Sequence, residues 1–132
     1  MKNLNAFLNP VKVEEKEVIV SKRFISEGKV VPFVIKPINQ KQNEAIIKLY
    51  TKMGPGGASL DQIGYMHAVT AAAVVFPDLK DAELQKAYDV IGETETLKAM
   101  LLVGEFAVLS EEVQKLSGLN NDINELIEEA KN

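Results

Sequence analysis

Val18-Ile19-Val20-Ser21-Lys22-Arg23-Phe24, then Ser26-Glu27-Gly28-Lys29, then Val30-Val31-Pro32-Phe33-Val34-Ile35-Lys36: the reading of this stretch decides the fold. The first run is rich in β-branched residues. Alternation puts Val18, Val20, Lys22 and Phe24 on one face and Ile19, Ser21 and Arg23 on the other, an imperfect but strand-like pattern. Gly28 supplies the positive φ that a tight hairpin turn requires. The second run returns as a strand, so residues 16–36 are predicted to form a β-hairpin. Pro32 has no backbone donor, and the second strand is therefore expected to have a free edge there. A hairpin alone is marginal in water and has to pack on helices or on another chain.

Working outward from the hairpin, residues 3–8 suit a short helical turn, ended by Asn9-Pro10. Downstream the signals are helical. Asn39 and Gln42 make a capping-box pattern, and Ile46, Leu49, Tyr50 and Met53 follow the spacing of one buried face. Gly54-Pro55-Gly56-Gly57 breaks that helix. Ser59 and Gln62 repeat the capping-box pattern and open a helix expected to run to about Phe76, where Pro77 stops it. Residues 68–76 are apolar nearly all round, which suits a helix at the centre of a core.

Shorter helices are expected after it. Asp81 caps one carrying Leu84, Ala87 and Tyr88, closed by Gly92. Thr94 caps one carrying Leu97, Met100 and Leu101, closed near Gly104. Residues 105–117 form the next, with Phe106, Leu109, Val113 and Leu116 on one stripe. Asn121 or Asp122 opens the last, with Ile123, Leu126, Ile127 and Ala130 inward. There is no internal repeat. The expected architecture is α+β: a β-hairpin (16–36) followed by a bundle of five to six short helices (39–131), in one domain over residues 1–132.

Composition bounds the function. A chain of 132 residues with 46% apolar and 26% charged residues fits one globular domain with a sizeable core. Without Cys it has no disulfide, thiolate metal site or thiol nucleophile. No signal peptide is expected in residues 1–10. The longest near-apolar run, residues 68–76, is far short of the roughly 20 residues that span a bilayer. The expected setting is the cytoplasm, with no membrane partner. A net charge of −4 argues against nucleic acid as a partner. The charge is uneven: residues 1–66 hold ten Lys/Arg against six Asp/Glu, net +4, and residues 67–132 hold five against thirteen, net −8. Two solvated surfaces would give this pattern, and so would a steering field for a basic partner segment.

No catalytic constellation emerges. His67 is the only histidine, whereas a zinc site needs three or four ligands, so a structural role is expected for it. The Gly54–Ser59 run precedes a helix as a phosphate cradle does. It lacks the Gly-Lys-Ser/Thr ending of a P-loop, and a predicted helix stands where a dinucleotide fingerprint needs a strand. The expectation is a connector between two helices. The carboxylates sit mostly on polar faces or at helix starts, where the helix dipole suits them. No enzyme activity, catalytic residue, cofactor or metal is therefore expected. Two apolar stripes remain as candidate partner-binding residues: Phe106, Leu109, Val113 and Leu116, and Ile123, Leu126 and Ile127. Either stripe can face the domain's own core or serve as a partner groove or dimer seam.

Several segments resemble the XkdN-like phage tail assembly chaperones. The opening Asn3-Leu4-Asn5-Ala6-Phe7-Leu8 does so, as do Ser21-Lys22-Arg23-Phe24 and Pro32-Phe33-Val34-Ile35-Lys36-Pro37-Ile38 around the turn. Val75-Phe76-Pro77-Asp78-Leu79-Lys80-Asp81-Ala82-Glu83-Leu84-Gln85 is similar to the family's central signature. Lys98-Ala99-Met100-Leu101-Leu102-Val103-Gly104-Glu105-Phe106 is similar to its second, followed by a helix ending at Leu116-Ser117-Gly118. The second strand often carries Trp in the family where this chain has Phe33, which keeps an aromatic. The resemblance implies a phage, prophage or phage-tail-like origin and action in a bacterial cytoplasm. It implies binding to the tape measure protein before the tail tube polymerises around it, and absence from the finished particle. The tail tube protein and a second copy of the chain are further candidate partners. The alternative is a structural or adaptor protein retained in the tail. No catalytic or ligand residue carries over from the family.

Overall fold

The computed structural model describes residues 2–119. After a helical turn α1 (Asn5–Leu8), the hairpin region holds β1 (Lys16–Val18), β2 (Ile25–Ser26), β3 (Lys29–Val30) and β4 (Phe33–Ile35). Then come α2 (Gln40–Leu49), a small hairpin β5 (Thr51–Gly54) and β6 (Gly57–Leu60), and α3 (Gln62–Ala73). The series ends with β7 (Val74–Phe76), α4 (Ala82–Ala87), α5 (Glu93–Met100) and α6 (Val103–Leu116). The α+β class and the order of hairpin before helices match the expectation. The final helix expected from Asn121 lies outside the described residues.

The hairpin is real but interrupted. Ile25 pairs with Val30 and Ser26 with Lys29 around a turn in which Glu27 (φ 52) and Gly28 (φ 77) are both left-handed. That is the turn geometry whose twist matches two antiparallel strands. Beyond Pro32 the strands meet again, Lys16 opposite Ile35 and Val18 opposite Phe33. At Pro32 itself no strand pairs, as expected, but beyond it the second strand is not an edge. β7 pairs with its other side, Val34 opposite Phe76 and Ile35 opposite Val74, with a register shift between Val34 and Ile35. The sheet order is β1-β4-β7, so β4 is central. Pro32 falls in the gap between β3 and β4, where no ladder donor is needed.

β7 also corrects the long third helix. Val74 and Val75 are β-branched, and Pro77 pushes Phe76 out of the helical region. Leaving the helix at Ala73 lets the backbone join the ladder, and Lys36 N–H donates to the Ala73 carbonyl at 2.9 Å. The Gly54–Ser59 connector proves to be the turn and second strand of the β5–β6 hairpin. α2 therefore stops at Leu49, and the expected inward positions Leu49 and Met53 are 80% exposed. Asp61 caps α3 in place of Ser59, accepting from Gly64 N–H at 3.0 Å. A side chain at Gly64 would meet the Tyr50 ring at 2.6 Å, so the bare backbone lets α2 and α3 approach. Gly92 serves as N-cap of α5, where Thr94 was expected, and does not close the preceding helix.

The core is built on α3. Val69, Ala71 and Ala73 are fully buried among Phe33 and Ile35 of β4, Leu97 and Met100 of α5, and Leu109 and Val113 of α6. Each such large side chain stabilises the fold by roughly 1.5–3 kcal/mol through burial. Thr70 and Thr96 are buried too, their hydroxyls donating to the carbonyls of Met66 and Gly92 one turn back. Tyr65 of α3 donates through its hydroxyl to Asn43 of α2.

A charged clasp joins the hairpin to α6. Arg23 Nε donates to Glu105 Oε2 at 2.8 Å, and its Nη2 donates to Glu105 Oε1 and to the Met100 carbonyl. Glu105 also accepts from Leu102 N–H at 2.8 Å, satisfying a backbone donor at the start of α6. Arg23, then Ser21, then the Leu102 amide hold the Glu105 carboxyl down at about 2, from an ordinary 4.5. Lys16 lowers Glu112 further along the same helix.

Two outcomes follow. Leu109→Ala should lower unfolding stability by roughly 2–5 kcal/mol in urea titrations, as the deletion of a fully buried Leu does. The Glu105 pKa is depressed on folding, so its contribution is complete above about pH 4.5 and is lost as pH falls toward 2. Thermal melts of Glu105→Gln should therefore lie below wild type at pH 7 and converge with it at the acid end.

Candidate partner-binding groove

The candidate partner stripe on α6 faces the interior. Leu109 and Val113 have no exposed surface, and Phe106 and Leu116 are partly buried against the same core. The His67 ring stands edge-on to Phe106, with centroids 5.1 Å apart, as a packing residue does. Ile123, Leu126 and Ile127 lie outside the described residues. Among the described residues no group of three or more His, Asp or Glu is placed to hold a metal ion.

A different surface has the shape for a partner. Phe24 and Phe33 meet edge to face, centroids 5.5 Å apart, with the Arg23 guanidinium 5.0 Å from the Phe24 ring. Between them and α4 opens an apolar cleft of about 230 Å³, walled by Val31, Pro32, Phe76, Pro77, Leu84, Tyr88 and Met100. Phe76, Pro77 and Leu84 also line a wider depression of about 450 Å³, where Asp78, Asp81, Glu83 and Ala87 complete the wall. The two share Phe76, Pro77 and Leu84 as lining, and the three carboxylates belong to the wider depression. Taken together they make one groove, apolar along the shared residues and acidic in the wider part.

Local sequence explains each wall. The switch from helix to strand at Val74 brings Phe76 to the outer edge of the sheet, where it is 51% exposed. Asp78 accepts from Lys80 N–H and Asp81 from Leu84 N–H, both at 3.0 Å, so these turns hold two of the carboxylates at the start of α4. Leu79, between them in sequence, is buried in the core and anchors the connection. The arrangement offers no nucleophile paired with a base. It can take apolar side chains along its floor and attract a basic group at its rim.

Sequence reasoning missed this groove. The sequence pattern puts Phe76 at the end of a long helix and Leu84 and Tyr88 on the helix that Asp81 caps. The available signal was an aromatic beside Pro77 with Asp78, Asp81 and Glu83 close behind. The convergence of Phe24, Phe33 and Met100 on that signal is a tertiary fact.

Known proteins are similar over most of this length. The sequence profile of the phage XkdN-like tail assembly chaperone proteins matches residues 4–131. The phage-like element PBSX protein XkdN of Bacillus subtilis (strain 168) is 31% identical over 129 residues, covering 92% of this chain and 87% of that protein. The uncharacterized protein YqbN of the same strain is 33% identical over the same coverage. The crystal structure of YqbN superposes with a TM-score of 0.78 at 29% identity, covering 89% of this chain and 98% of that one. The chain belongs to the phage XkdN-like tail assembly chaperone family.

Proposed function

We propose that the protein binds the tape measure protein of its tail, keeps it soluble in the bacterial cytoplasm while the tail assembles, and is absent from the mature particle. The observation that carries this reading is the groove formed by two cavities that share Phe76, Pro77 and Leu84, apolar along Phe24, Phe76 and Leu84 and acidic at Asp78, Asp81 and Glu83. A long helical client presents repeated apolar faces, and an apolar groove takes such a face. The carboxylate rim favours client segments with Lys or Arg beside the apolar face. Many copies along one long client give a durable hold from individually weak contacts. The work is done by binding, with no chemical step. The apolar stripe Ile123, Leu126 and Ile127 is proposed as a second client contact.

Co-expression with the tape measure protein of the same gene cluster, followed by pull-down and sizing, tests the reading. A soluble complex with several copies per client is expected. Phe76→Ala should weaken capture by roughly 30-fold, the scale of a central aromatic contact, while the variant keeps its helical circular dichroism. A client that stays insoluble, with this protein found in assembled tails, would establish a structural component instead. Leu126→Asp with Ile127→Asp should reduce capture while the chain stays folded; unchanged capture removes that stripe from the client surface.

A further inference from the structure

The segment before the sheet is built unlike the rest of the domain. Every residue from 2 to 17 is exposed. Leu4, Phe7 and Leu8 share the i, i+3, i+4 spacing of one helical face, yet Phe7 is 81% exposed, and Val11 further on is 97% exposed. The turn α1 is preformed, with Asn5 N–H donating to the Asn3 side chain at 2.9 Å. A single turn of helix is unstable alone in water, and an uncovered apolar cluster of this kind marks a contact surface. Its first part, residues 2–13, carries only Lys2 and Lys12 as charged side chains, ahead of the mixed run Glu14, Glu15, Lys16 and Glu17.

The groove is complementary on both counts. It offers the apolar floor of Phe24, Phe76 and Leu84, and its rim carries Asp78, Asp81 and Glu83. We infer that residues 2–13 of one copy dock in the Phe76–Leu84 groove of a second copy. Leu4, Phe7 and Leu8 lie on the floor, and Lys2 and Lys12 face the rim. Within one copy residues 2–17 are all exposed, so the segment is not seated in its own chain's groove. Lys16 lies opposite Ile35, whereas the groove opens at the Phe33 and Phe76 end of the strands. The segment therefore leaves the sheet at the opposite end of the strands from the groove. Two copies exchanging segments form a closed, two-fold pair. Resting on the reading of the groove as the client site, the exchange also makes the segment a resident competitor that the client displaces.

Sedimentation equilibrium of the full chain, compared with Phe7→Asp/Leu8→Asp, tests the inference. Both side chains are exposed, so the variant keeps its fold. Wild type is expected to pass from monomer to dimer with concentration, and the variant to remain monomeric. A fluorescent peptide of residues 2–13 should bind the variant, and Asp78→Lys/Glu83→Lys introduced into it should weaken that binding at least tenfold. The segment variant should also capture the co-expressed tape measure protein at least as well as wild type. A wild type that is monomeric throughout, a dimer that survives Phe7→Asp/Leu8→Asp, or a peptide that does not bind overturns the exchange and leaves the chaperone reading intact. Failure of client capture together with normal peptide binding overturns the chaperone reading and leaves the exchange standing.

Discussion

The pairing of β4 on both sides is the constraint on which the rest of the domain depends. β4 is only Phe33–Ile35, yet it receives β1 from the hairpin and β7 from the end of α3. A hairpin alone would be marginal. Here the third strand arrives already attached to the most buried helix, so the ladder fastens the helical part to the hairpin through backbone hydrogen bonds. Phe33 and Ile35 then point into the core that α3, α5 and α6 complete. The Arg23–Glu105 clasp acts on the same joint from the outer side, linking the hairpin to the start of α6. Its two charges are partly exposed, so it orients the joint more than it supplies the bulk of its stability.

The same joint makes the groove. If α3 ran on to Phe76, as the apolar run suggests, that ring would sit on a helix and not at the sheet edge beside Pro77 and Leu84. The extended exit from Ala73 turns a core helix into a strand and exposes one aromatic at its end. The carboxylates that follow serve two purposes. Asp81 caps α4, Asp78 fixes the preceding turn, and both contribute negative charge to the rim. Rim charge and helix start thus draw on the same residues.

Much of the fold was legible because its signals are local. The turn at Glu27-Gly28, the capping box at Asn39 and Gln42, and the Asp81 cap each need only a few neighbouring residues. The stripe of α6 also follows from spacing, although spacing alone leaves open whether it meets the core or a partner. The errors came where local patterns are ambiguous. Residues 68–76 are apolar throughout, and periodicity cannot separate a buried helix from a buried strand in such a run. Gly54-Pro55-Gly56-Gly57 signals a break, which a loop and a hairpin turn satisfy equally. The groove was illegible because its walls come from three distant segments, and no one of them is amphipathic in the way a partner site would suggest.

That assembly from distant segments has a thermodynamic corollary. The groove's floor joins Phe24 and Phe33, Phe76 and Leu84, and Met100, so the unfolded chain has no binding surface to offer. Whatever occupies the groove selects the folded state, and by mass action an occupant present at 100 times its dissociation constant adds about 2.7 kcal/mol to folding stability. Occupancy and foldedness become one linked equilibrium. A domain so built is held in shape by whatever fills its groove, and copies without an occupant are the ones that open first.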